Sequence, residues 1–163
     1  AGELQIDHPH VVRLEGRTVN VEGAGGVSLR ELLRQALRMR PDRLVVGEVR
    51  GAEVLDLLVA LNTGHDGGMA TVHANAAVDV PARLEALGAL AGMDRAAVHS
   101  QLAAGIDLVL HLGRRRSGRR VLDDIAVVQR GRGGLVELAS IHGRGAPGRE
   151  GLERLLDDRE AAA

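Results

Sequence analysis

The sequence predicts an α/β fold, and three observations carry that prediction. From Val45 onward, short apolar runs alternate with stretches of helical periodicity in the order strand, helix, strand, helix, helix. After Asp107 the period changes to three strand-like runs, at 108–112, 121–129 and 135–141, separated by arginine- and glycine-rich turns that predict an antiparallel meander. Apolar residues make up 45% of a 163-residue chain, a one-domain length that can bury a sizeable core.

In chain order, the opening residues 1–6 have no methionine or leader and read as the middle of something longer. Residues 10–14 and 18–22 carry enough β-branched residues for two short strands or extended segments, yet Gly16, Gly23, Gly25 and Gly26 make 13–26 loop-like. Ser28-Leu29-Arg30-Glu31 is a capping box, so a helix should begin there and Pro41 should end it. Leu29, Leu32, Leu33, Ala36 and Leu37 form its buried stripe, with Arg30, Arg34 and Arg38 facing away. Residues 43–49, behind a proline turn, suit a strand buried on both faces. Residues 52–62 read as a second helix stopped by Gly64, and 64–75 as a glycine-loosened loop entering a short strand. A helix over 80–91 carries Pro81 in its first turn and closes at Gly92, and Asp94 caps the next, to about 104. The last segment, 143–163, rich in Gly, Ala, Arg and acids, reads as a mobile tail with a short helix at 152–159.

Composition excludes several functions. The chain has no Phe, Tyr or Trp, so aromatic stacking on nucleobases is unavailable, and a formal net charge of −1 supplies no global field for nucleic acid or an acidic membrane. No specific nucleic-acid partner is expected. The absence of cysteine leaves neither a disulfide frame nor a thiolate metal site and fits a reducing compartment. No apolar run nears the roughly 18 residues of a membrane span, so a cytoplasmic protein is the default expectation. All 21 basic residues are arginine, so no G-x-x-x-x-G-K-[ST] phosphate loop occurs.

The candidate site centres on Leu44-Val45-Val46-Gly47-Glu48-Val49-Arg50-Gly51, which puts one acid at the end of an apolar strand. The carboxyl edge of an open α/β sheet is where ligands bind, and an acid there can hold Mg²⁺ through water or orient an attacking water. The plainer alternatives are an acid that caps the next helix or pairs with Arg50. Glu53 reads equally as a second acid beside Glu48 or as a first-turn charge favouring the helix dipole.

Three segments together, the helix ending R-M-R-P-D-R, the run V-V-G-E-V-R-G and the loop T-G-H-D-G-G-M-A-T-V-H-A-N, carry a family resemblance. Over roughly residues 3–130 the chain resembles the C-terminal half of the ATPase domain of the bacterial type II/type IV secretion ATPase superfamily, most closely its tight-adherence (Flp) pilus-assembly branch, CpaF/TadA-like. The resemblance implies a partial RecA-like P-loop NTPase sheet with flanking helices, spanning 1–142. It also implies a hexameric homo-oligomeric motor that uses ATP and Mg²⁺ and works on a secretion or pilus platform protein at the inner face of the bacterial membrane.

By the same resemblance Glu48, in the atypical Walker B segment, is the catalytic acid that polarises water and supports Mg²⁺, and the histidine box assigns His73 to the γ-phosphate region with His65 supporting it. Arg13 and Arg17 fall where relatives place arginines that reach phosphate, and Glu3 is a partial match to the family's acidic box. The sequence departs from the pattern in lacking the upstream Walker A loop, whose amides and lysine hold the phosphates. A fragment of a motor is therefore expected, inactive by itself; the alternative is a non-catalytic assembly module that keeps the fold.

A metal site from His65, His73 and Asp66 lacks helical or short-loop chelate spacing. His8 and His10 flank Pro9 on an extended segment, while His99, His111 and His142 show no partner pattern and read as structural. Arg38, Arg40 and Arg43 read as a solvated face or a subunit contact. The cluster from Arg114 to Arg120 reads as a solvated hairpin tip or as a surface for phospholipid heads or another protein.

Overall fold

A computed structural model describes residues 5–65, 67–142 and Glu153. The expected mobile tail and its helix, like Glu3 and Asp66, lie outside the described residues, apart from Glu153, which is helical. The chain forms two compact units, one of residues 1–72 and 87–93, the other of 73–86 and 94–163.

In the first unit, Ser28 starts helix α1 (Leu29–Arg38) through the full capping box: its hydroxyl accepts from the Glu31 N–H, and the Glu31 carboxylate accepts from the Ser28 N–H. Those same bonds from Ser28 hold the Glu31 carboxyl below its ordinary range. The helix stops at Arg38, with Met39 as its C-cap, before Pro41 is reached. Strand β1 (Val45–Val46) pairs in parallel with β2 (Met69–Ala70), and helix α2 (Val54–Leu61) connects them. Leu44, Val46, Val49, Val54, Leu57 and Leu58 are buried around this pair. Each such side chain contributes about 1.5–3 kcal/mol by leaving water.

Gly68 lets β2 enter beside β1. A Cβ there would meet the Leu61 side chain and lie 3.2 Å from the Leu44 carbonyl, so no larger residue fits without displacement. Of the two alternatives for the early segments, strands or extended loop-like chain, the structure takes the second. Residues 10–14 stay irregular, and within 17–27 only Arg17 and Val27 form a bridge, closing a loop that the Asn20 side chain braces by accepting from the Glu22 and Ala24 N–H groups. Their β-branched residues lack a neighbouring strand to pair with, and propensity alone does not make one.

Arg30 and Arg34 do not simply face solvent as their helical position suggests. Both donate to Asp56 on α2, at 2.6 and 2.8 Å, and tie the two helices together. Burial pushes the Asp56 carboxyl up, but hydrogen bonds and charge from Arg34 and Arg30 outweigh it and leave it below its ordinary value.

The second unit begins with a 3-10 turn (Ala77–Asp79) that leads into helix α3 (Val80–Leu90), whose later residues belong to the first unit. Asp94 caps α4 (Arg95–Gly105) by accepting from the Ala97 N–H at 2.7 Å, as its position predicts. Strands β3 (Leu108–Arg114), β4 (Arg120–Arg130) and β5 (Val136–His142) form the expected antiparallel meander in the order β3-β4-β5. Its inner face, including Val136 and Ala126, is buried with Val98 and Leu102 of α4.

Candidate functional site

Pairing of β1 with β2 runs past both strand ends. Thr71 donates its N–H to Val46, Val49 donates its N–H to Thr71 at 2.9 Å, and the Thr71 hydroxyl donates to the Gly47 carbonyl. Glu48 therefore sits on a fixed backbone at the carboxyl edge of the parallel pair, where the sequence puts it. Its side chain is 20% exposed and forms an ion pair with the Arg50 guanidinium, which is 76% exposed. Glu53 turns back to accept from the Arg50 and Gly51 N–H groups, at 2.7 and 2.9 Å, and so holds the turn ahead of α2.

Labour within this motif is thus divided. Glu53 fixes the backbone, Arg50 meets the Glu48 carboxylate, and the Glu48 side chain is one-fifth exposed. Both plainer alternatives for these acids are present: Glu48 pairs with Arg50, and Glu53 serves the helix entrance. An ionised carboxylate so held can accept a proton from water or meet a hydrated cation.

His65 follows α2 with Nδ1 3.1 Å from the Ala60 carbonyl. When Nδ1–H donates to that carbonyl, Nε2 keeps its lone pair for another partner. Arg17 donates Nε to the Gly25 carbonyl at 2.6 Å, which anchors the loop before Ser28 and leaves its two terminal nitrogens without a hydrogen bond among the described residues. Arg13 lies on exposed irregular chain. His73 is exposed and belongs to the second unit, while Glu48, Glu53, His65, Arg13 and Arg17 all belong to the first. Among the described residues no three His, Asp or Glu side chains cluster as direct metal ligands.

The second unit holds a polar cluster that spacing does not reveal. His99, 2% exposed, accepts the Val136 N–H on Nδ1 at 2.7 Å. That amide can only donate, so the ring proton lies on Nε2 and is donated to Glu85 at 2.6 Å. Arg95 meets the other Glu85 oxygen at 3.1 Å. The His99 hydrogen bond, opposed by burial and aided by Arg95, holds the Glu85 carboxyl below its ordinary range. Every polar atom of the ring is satisfied, in keeping with the structural role expected of His99. An open groove of about 460 Å³ beside it is lined by Val78, Arg95, Arg132 and Glu137 among others.

Comparison with known proteins places this geometry. Residues 1–158 match the family of type II/IV secretion system proteins. A putative conjugal transfer protein of Mycobacterium tuberculosis is 65% identical over 133 residues, which are 82% of this chain and 38% of that protein. A probable conjugal transfer protein, TrbB, of Sinorhizobium fredii is 46% identical over 101 residues, 62% of this chain and 30% of that one. Among solved structures, the VirB11 ATPase of the Brucella suis type IV secretion system aligns with a TM-score of 0.53 at 27% identity, covering 59% of this chain and 32% of that one. The ATPase DotB of Yersinia pseudotuberculosis aligns with a TM-score of 0.50 at 26% identity, covering 61% and 26%. The chain thus spans less than two fifths of the length of these relatives, and the likeness to the two ATPases carries the partial RecA-like sheet expected of the fold. The match over residues 1–158 makes this chain a member of the type II/IV secretion system protein family.

Proposed function

We propose that these residues form the water-activating part of a nucleotide-hydrolysing motor, with Glu48 as the general base or water-orienting acid. One observation supports this above the others: Glu48 sits on a braced strand end with its side chain 20% exposed, within the span that matches the family. Phosphoryl transfer asks the protein for positioned water, metal and cations more than for covalent chemistry. In this reading Glu48 would orient water and would hold Mg²⁺ through that water. ATP supplies the phosphoryl group when bound. Arg17 offers its two terminal nitrogens to phosphate from an anchored loop, Arg13 adds a second cation, His65 offers Nε2, and His73 serves the γ-phosphate region.

A tight-adherence (Flp) pilus motor, hexameric and seated on an inner-membrane platform protein, is the reading the motif runs support. The relatives named for conjugal transfer support a second, in which the same motor serves DNA transfer. Steady-state ATP turnover tests the catalytic proposal. Residues 1–163 alone, which carry no phosphate loop, should turn over ATP at background. Turnover well above background that Glu48→Gln abolishes would refute that expectation. A longer protein that joins these residues to a phosphate-binding loop should lose at least ~100-fold in turnover on Glu48→Gln. Unchanged turnover there would leave a non-catalytic assembly module.

A further inference from the structure

The β3–β4 hairpin combines two features that none of the preceding roles uses. Its outer face carries Leu108, Leu110 and Leu112 on alternate positions of β3, 41%, 60% and 67% exposed, with Leu122 opposite Leu112 and 39% exposed. Antiparallel sheets ordinarily turn polar residues toward water on one face, so a leucine row on the open side of an edge strand implies a covering surface. Directly beyond Leu112 the turn carries Arg114, Arg115, Arg116, Arg119 and Arg120, all exposed.

Local acids do not neutralise this tip. Asp123 reaches Arg115 at 3.1 Å across Gly113, where a Cβ would strike the Asp123 carboxylate. Asp124 accepts from the Ser140 hydroxyl instead. Arg114 donates Nε to the Gly118 carbonyl at 3.1 Å and rigidifies the turn. Among the described residues the side chains of Arg116, Arg119 and Arg120 form no hydrogen bond or ion pair. In a chain whose formal net charge is −1, five arginines within seven residues concentrate positive charge at one end of one hairpin.

We infer that this hairpin is a membrane-docking surface, with the arginine tip meeting anionic lipid phosphates and the adjoining leucine row resting at the acyl boundary. Charge complementarity selects the occupant. Guanidinium forks pair bidentately with phosphate, and a cationic rim beside an apolar strip matches the layered headgroup and acyl edge of an anionic bilayer.

Co-sedimentation of the full chain with vesicles of phosphatidylcholine containing roughly one third phosphatidylglycerol tests the inference. The chain should pellet with these vesicles, stay in solution with pure phosphatidylcholine, and release as salt rises from ~50 to ~300 mM. Each arginine near an anionic surface strengthens binding about fivefold, so alanine at Arg116, Arg119 and Arg120 should weaken it about a hundredfold, while lysine at all three should preserve most of it. Serine at Leu110 and Leu112 should weaken binding about tenfold or more without changing its salt dependence. Circular dichroism matching the unsubstituted chain shows that a variant still folds. No pelleting at low salt, equal pelleting with neutral vesicles, or indifference to the arginine substitutions would overturn the inference. It would also fall if the serine variant left vesicle binding intact but turned an oligomer into a monomer by light scattering, because the leucine row would then be a contact between copies.

Discussion

The two units hold their charged groups in different ways. In the first, the acids and cations of the candidate site meet partners close in sequence: Glu48 with Arg50, and Glu53 with the backbone of Arg50 and Gly51. In the second, the principal polar contacts join distant segments, with Glu85 on α3, His99 on α4 and Val136 on β5. Contacts between near neighbours position a side chain without holding distant segments together, so such a site can change partners at little cost to folding. Contacts between distant segments do the reverse. They make the buried histidine a structural tie.

Removing His99 should have the largest effect on folding. His99→Ala would leave the Val136 N–H and the Glu85 carboxylate without their partner and open a cavity, at a cost of about 3 kcal/mol in denaturant unfolding. A loss below about 1 kcal/mol would erase the contrast between the units. Asp56→Asn should cost about 1 kcal/mol, because it removes one carboxylate from two arginines that stay largely in water. Its effect should add to that of His99→Ala if the two units do not share the interaction.

Acid sharpens the comparison further. Asp56 and Glu85 both titrate lower in the folded chain than unfolded, so the unfolded chain binds more protons as pH falls. The stability they contribute is complete above the ordinary carboxylate range near pH ~4 and is lost as pH drops through their lowered folded values. Unfolding midpoints measured from neutral to acidic pH should fall along this limb. Glu85→Gln and Asp56→Asn should each flatten it, and a limb unchanged by both would contradict the assignment.

Most of this fold was legible because its signals are local. The Ser28 capping box, the Asp94 cap, Gly92 and the switch from helical to strand period after Asp107 each act within a few residues, and each is where the sequence puts it. At 10–14 and 18–22 the local signal left strand and extended loop both open for the opposite reason, since a strand needs a partner from elsewhere in the chain. Glu48 was legible as the end of an apolar run, and the alternative of pairing with Arg50 was visible two residues away. The Glu85–His99 pair was not, because its members are 14 positions apart on two helices and its third partner is a backbone amide. Asp56 as the shared partner of Arg30 and Arg34 was hidden in the same way.

The central claim is that Glu48 serves chemistry and not folding. Glu48→Gln tests it when unfolding and ATP turnover are measured on the same preparation of a protein that joins these residues to a phosphate-binding loop. Folding stability should shift by less than about 1 kcal/mol, because the Arg50 side of the ion pair is 76% exposed, while turnover falls at least ~100-fold. Turnover that survives, or a stability loss large enough to account for its disappearance, would contradict the claim.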